Sequence, residues 1–166
     1  MPLHDNAREL IRANLEQFDP KIKVKVAAVE IGTLTDAQLA AINAQQDANG
    51  LPRSTREIVF HGWHVYKSRI IRDRYTIDDV VDQIVSAMSD NSVVQATEYM
   101  TAMENPVPRE DRYGNIVNDR VVFECSARHP RPELFSVVPK GDRIKPGQSD
   151  GAAIAAPSKP SGDSPG

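Results

Sequence analysis

Thr76-Ile77-Asp78-Asp79-Val80-Val81-Asp82-Gln83-Ile84-Val85-Ser86-Ala87-Met88 is the stretch whose reading decides the fold. A hydroxyl at Thr76 with an acid three residues on, at Asp79, is a helix-starting box in which each side chain caps the other's backbone. Ile77, Val80, Val81, Ile84 and Met88 then recur at helical spacing and make one apolar stripe. This segment is an amphipathic helix that must lay that stripe on a core. Downstream, after Ser89-Asp-Asn-Ser, the period changes to that of strands: about 93–103, 120–127 and 134–139. The last two are joined by Arg128-His129-Pro130-Arg131-Pro132, too short for a helical crossover, so they pair antiparallel.

Upstream, Glu57-Ile-Val-Phe reads as a short strand and 61–74 as a helix or irregular helix. Residues 5–18 form a helix on Leu10, Ile11, Leu15 and Phe18, stopped by Pro20. Lys21-Ile-Lys-Val-Lys-Val alternates as a half-buried strand does, its lysines on the wet face. Thr35 and Gln38 repeat the capping box and open a helix to about Ala48, ended by Asn49-Gly50 and Pro52. The expected fold class is therefore α+β: N-terminal helices leading into a three- to four-stranded antiparallel sheet. Residues 1–52 form an α-β-α lead-in packed on the main domain, 53–145 the main domain, and 146–166 a disordered Gly/Ser/Pro/Ala tail.

The whole is 166 residues, 40% apolar, which suits one core rather than two. No apolar run of eighteen residues is present, and Met1-Pro-Leu-His-Asp-Asn lacks the basic and apolar regions of a secretory signal. The expectation is a cytoplasmic protein with no membrane partner. The single cysteine, Cys125, excludes an internal disulfide framework and reads as strand packing rather than a reactive thiol. A net charge of −3 argues against a protein coated in positive charge, but leaves room for a local basic pocket.

Two clusters supply such a pocket. Between His61 and Arg74 stand His61, His64, Lys67, Arg69, Arg72 and Arg74. Arginine grips phosphate oxygens in pairs and histidine moves a proton near neutral pH, so this segment suits a phosphate site. It suits equally a charged amphipathic helix whose Trp63, Ile70 and Ile71 are core. No metal is expected, since His61 and His64 lack a clear third ligand, and no cofactor motif occurs. The second cluster is Arg128 and His129 in the proline-stiffened strand junction, with Ser136 on the next strand; a plain hairpin has the same composition. Were both clusters to converge, they would suit cleavage of RNA by its own 2′-hydroxyl, which needs proton transfer and cations but no metal.

The run from His64 through Lys67, Arg69, Arg72 and Tyr75 to Thr76-Ile-Asp-Asp-Val, followed by a helix and strands ending in Phe135-Ser136-Val137, resembles the barnase/EndoU/colicin/RelE superfamily of small metal-independent ribonuclease toxins, over about residues 56–145. The resemblance implies a phage or polymorphic-toxin endoribonuclease acting on RNA, tRNA among the candidates, and countered by an inhibitor or immunity protein. It implies catalysis by His64, His129, Arg69 and Ser136, with Lys67, Arg72, Arg128 and His61 on phosphate. The chain departs from the pattern in its acidic balance and its long 104–119 loop. The competing expectation is a non-catalytic phage or mobile-element protein that docks on a host protein, using the acidic helix 76–88.

Overall fold

The computed structural model describes residues 3–96, 101–124 and 132–141. Both capping boxes form as read. Thr35 Oγ1 accepts from Gln38 N at 3.1 Å and opens α2 (Asp36–Ala48), while Thr76 Oγ1 accepts from Asp79 N at 3.1 Å and opens α4 (Ile77–Ala87). Gly50 ends α2 at φ +67, where a Cβ would be strained. The first helix, α1 (Ala7–Glu16), buries Ile11 and Leu15 against α4, and Arg8 donates to Asp82 at 2.8 Å across that seam. Arg12 pairs with Asp78 in the same way.

The architecture is α+β, and the sheet extends beyond the expected three to four strands. Among the described residues seven strands take part: β1 (Val29–Thr33), β2 (Glu57–Phe60), β3 (Val93–Ala96), β4 (Thr101–Glu104), β5 (Arg109–Glu110), β6 (Ile116–Glu124) and β7 (Glu133–Lys140). They run in the order β1-β2-β7-β6-β4-β3, with β5 on β6. The segment expected as one strand over 93–103 contains two strands, β3 and β4, paired antiparallel with Val94 opposite Met103. From β3 through β4 and β6 to β7 the pairing is antiparallel, with Val121 opposite Val137. The enlargement comes from β2, which joins β7 in parallel through Val59 and Phe60 and carries β1 with it. A single core results, in which Ile11, Leu15 and Ile42 from the first fifty residues share contacts with Val80, Ile84, Val121 and Val137.

The Lys21–Val26 alternation does not become a strand. A strand needs an edge, and the edge of β1 that faces away from β2 is already taken: Leu3 bridges Gly32, and His4 N donates to Ile31 O at 2.9 Å. Residues 21–25 therefore run as an exposed, irregular stretch ahead of β1, with only Val26 buried. The expected positions Arg128 and His129, the cysteine Cys125 and the tail 146–166 lie outside the described residues.

One polar side chain pins this stretch. Asn14, buried on α1, donates to Ala27 O at 3.0 Å and accepts from Gly62 N at 3.1 Å. Gly62 is admitted because it has no Cβ: one built there would meet Asn14 Oδ1 at 2.5 Å and Leu15 Cδ2 at 2.9 Å. Gly62→Ala is accordingly expected to destabilise the fold by about 1–3 kcal/mol through overpacking, read as a lower urea midpoint at unchanged slope.

Candidate functional site

After β2 the chain turns at Gly62 into a short α3 (Trp63–Val65), which passes directly into a π-helix (Tyr66–Arg72). Wide turns of this kind are uncommon and cluster at functional sites. The unusual winding is closed by Asp73 N donating to Ser68 O at 3.2 Å and Tyr75 N to Arg69 O at 2.9 Å, with Arg74 in the left-handed region at φ 66.

The wider turn sets where the charged side chains go. Asp73 is the hub: its side chain is 1% exposed, it accepts from Arg69 Nη1 at 2.5 Å, and its other oxygen accepts from Arg72 Nε at 3.1 Å. Arg69 is itself buried, so its charge is answered locally by Asp73. Arg72 and Lys67 reach solvent. Four of the expected residues thus gather: the imidazole of His64 lies within electrostatic reach of Lys67, Arg69 and Arg72. Burial first, then those three cations, push the His64 pKa below its ordinary 6.5. Its Nε2 stands 3.3 Å from Ser68 Oγ. The arrangement can hold a neutral imidazole beside positive charge, which is what a proton acceptor next to an anion needs.

The other expected residues fall differently. Ser136 pairs with Val122 and points to the sheet face opposite Val121 and Val137, the pair that packs under α4. It is not on the helix-covered face. His61 lines the wall of an adjoining groove. Among the described residues no group of three His, Cys, Asp or Glu side chains is placed to hold a metal ion.

That groove, about 940 Å³, is bounded by Phe18 to Val26 on one side and by His61 and Trp63 on the other. Ile22, Val24 and Trp63 are 64%, 40% and 43% exposed. Phe18 packs on Trp63 and Tyr66, with ring centres 5.6 and 5.3 Å apart, and Lys67 Nζ sits 5.4 Å from the centre of the Trp63 ring. The sequence reading missed this feature. Its signal was there in Ile22 and Val24 alternating with lysines, a pattern that also describes a strand.

A smaller hollow, about 30 Å³, lies between α4 and the 109–113 loop. It is closed by its own ion pairs: Arg109 Nε donates to buried Asp119 at 2.5 Å, Arg112 pairs with Asp79 at 2.9 Å, and Tyr113 Oη donates to Asp79 at 2.6 Å. Burial raises the Asp119 pKa despite Arg109. These contacts tie the loop down. No known family, no curated protein and no solved structure matches this chain.

Proposed function

We propose that the protein is a metal-independent endoribonuclease of toxin or effector type. The observation that carries the reading is a partly buried imidazole, His64 on α3, within electrostatic reach of Lys67, Arg69 and Arg72 on the π-helix that follows, the two arginines being held on Asp73. His64 takes the proton from the 2′-hydroxyl, whose oxygen forms a bond to phosphorus as the bond from phosphorus to the 5′-oxygen breaks. A second acid, the role expected of His129, returns a proton to the leaving oxygen. Lys67 and the solvent side of Arg72 meet the phosphate oxygens, while Arg69, held on Asp73, adds its charge to the field.

The competing reading is a silent module that docks through the acidic helix, whose Asp78 and Asp82 stay more than half exposed. Asp78 and Asp82 on that helix are engaged by Arg12 and Arg8 of α1.

The test is pure protein with total cellular RNA in excess chelator. Discrete cuts with 2′,3′-cyclic phosphate ends are expected; intact RNA, or cuts that need a divalent ion, overturn the reading. The pH dependence adds a second check. Because the His64 pKa is lowered, the base stays unprotonated into mild acid, and the acidic limb of kcat/KM is expected below pH 6.5. The same shift has a stability sign. Between the lowered value and 6.5 the unfolded chain binds more protons than the folded one, so His64 subtracts stability as pH falls through that window and nothing above it.

A further inference from the structure

We infer that the groove between Phe18–Val26 and α3 binds the single-stranded RNA that flanks the cleaved phosphate, with a base against Trp63 and phosphates on Lys21, Lys23 and Lys25. The inference rests on the ribonuclease reading above and adds to it the strand's path.

Three observations support it. First, the groove joins the site: Lys67, which lies within reach of His64, also lies over the Trp63 ring. A strand that delivers a phosphate to His64 passes next to that ring. Second, its chemistry is that of single-strand platforms, which combine aromatic faces for bases with cations that follow the backbone. Trp63 is exposed beside His61, and lysines stand at every second position from 21 to 25, all of them exposed. Against these the groove lining carries one acid, Asp19. Third, the size fits. A volume of about 940 Å³ lies at the upper end of the roughly 300–1,000 Å³ of pockets that enclose a drug-sized ligand, enough for a base with its ribose and phosphate. Asn14 ties Ala27, two residues past Lys25, to Gly62 at the start of α3, which sets where the lysine stretch ends.

Trp63 is the one tryptophan in the sequence, which makes its fluorescence a direct probe. The experiment titrates the full chain with short 2′-O-methyl oligonucleotides, whose blocked hydroxyl prevents cleavage, at several salt concentrations. Saturable quenching is expected. Trp63→Leu is expected to weaken binding on the order of tenfold to hundredfold, the usual worth of one stacked base. Lys21→Gln, Lys23→Gln and Lys25→Gln together lie at exposed positions and leave the core intact. They are expected to reduce the slope of log affinity against log salt by about 0.7 for each lysine that meets a phosphate.

Oligonucleotide binding with unchanged Trp63 emission and an unchanged salt slope in the triple variant overturns the groove while the ribonuclease reading stands. Quenching by an oligoglutamate peptide but not by oligonucleotides also overturns it and assigns the groove to an acidic protein segment. Absence of both binding and cleavage removes the two readings together.

Discussion

His64→Ala is expected to lower the rate of RNA cleavage by about 10²–10⁴-fold, the usual contribution of a positioned proton acceptor. The loss should fall on kcat more than on KM, because Lys67 and Arg72 remain to hold the phosphate. Folding should be nearly untouched. His64 is only partly buried, and the 3.3 Å hydrogen bond to Ser68 that is lost with it is worth about 0.5–1.5 kcal/mol. Cleavage rates compared with thermal melting separate the two effects. A variant that melts like the parent and still cuts RNA at the parent rate excludes His64 from the chemistry. If the rate falls only in step with the folded fraction, His64 is structural.

The largest stability effect is expected at Asp73. Its side chain is 1% exposed and that of Arg69 9%. Asp73→Ala leaves the guanidinium of Arg69 buried without its carboxylate, and breaking a buried pair on one side costs about 3–5 kcal/mol. Arg72→Ala removes the other partner of the same carboxylate. That side chain is mostly exposed, so the loss is expected to stay below about 1 kcal/mol. Urea midpoints of the two variants measure the contrast. Equal losses would mean that burial is not what makes Asp73 matter.

The helices were legible in the sequence because their signals are local. Thr35 with Gln38 and Thr76 with Asp79 each state a helix start within four residues, and Gly50 states a stop. The β6–β7 pairing was legible from the short connection between the two strands. What could not be read is what depends on distant partners. Lys21-Ile-Lys-Val-Lys-Val has the period of a strand, but whether an edge is open to it was decided by Leu3 and His4, some twenty residues earlier. Likewise Glu57-Ile-Val-Phe reads as a strand without saying that its neighbour is seventy residues away.

The site divides along the same line. The spacing of His64, Ser68 and Arg72 puts them on one face of an α-helix with Lys67 next to them; Arg69, five residues past His64, comes within electrostatic reach of the imidazole in the π-helical winding. Asp73, however, reads in sequence as one more solvated acid. Its role as the buried anchor of two arginines depends on tertiary burial that the i,i+4 spacing from Arg69 does not announce. Ser136 was assigned by resemblance, and strand alternation sends it to the other face.

The parallel seam between β2 and β7 bears on how the chain is made. Strand β2 is complete once Phe60 is synthesised, but its partner begins at Glu133, so at roughly 5–20 residues per second the ribosome needs several seconds to supply it. During that interval the β1–β2 pair lacks its neighbour along Ile58, Val59 and Phe60, all buried in the finished molecule, an edge of the kind that can template other extended chains. The seam therefore cannot close before β7 has left the ribosome, which makes it a late step of folding during synthesis.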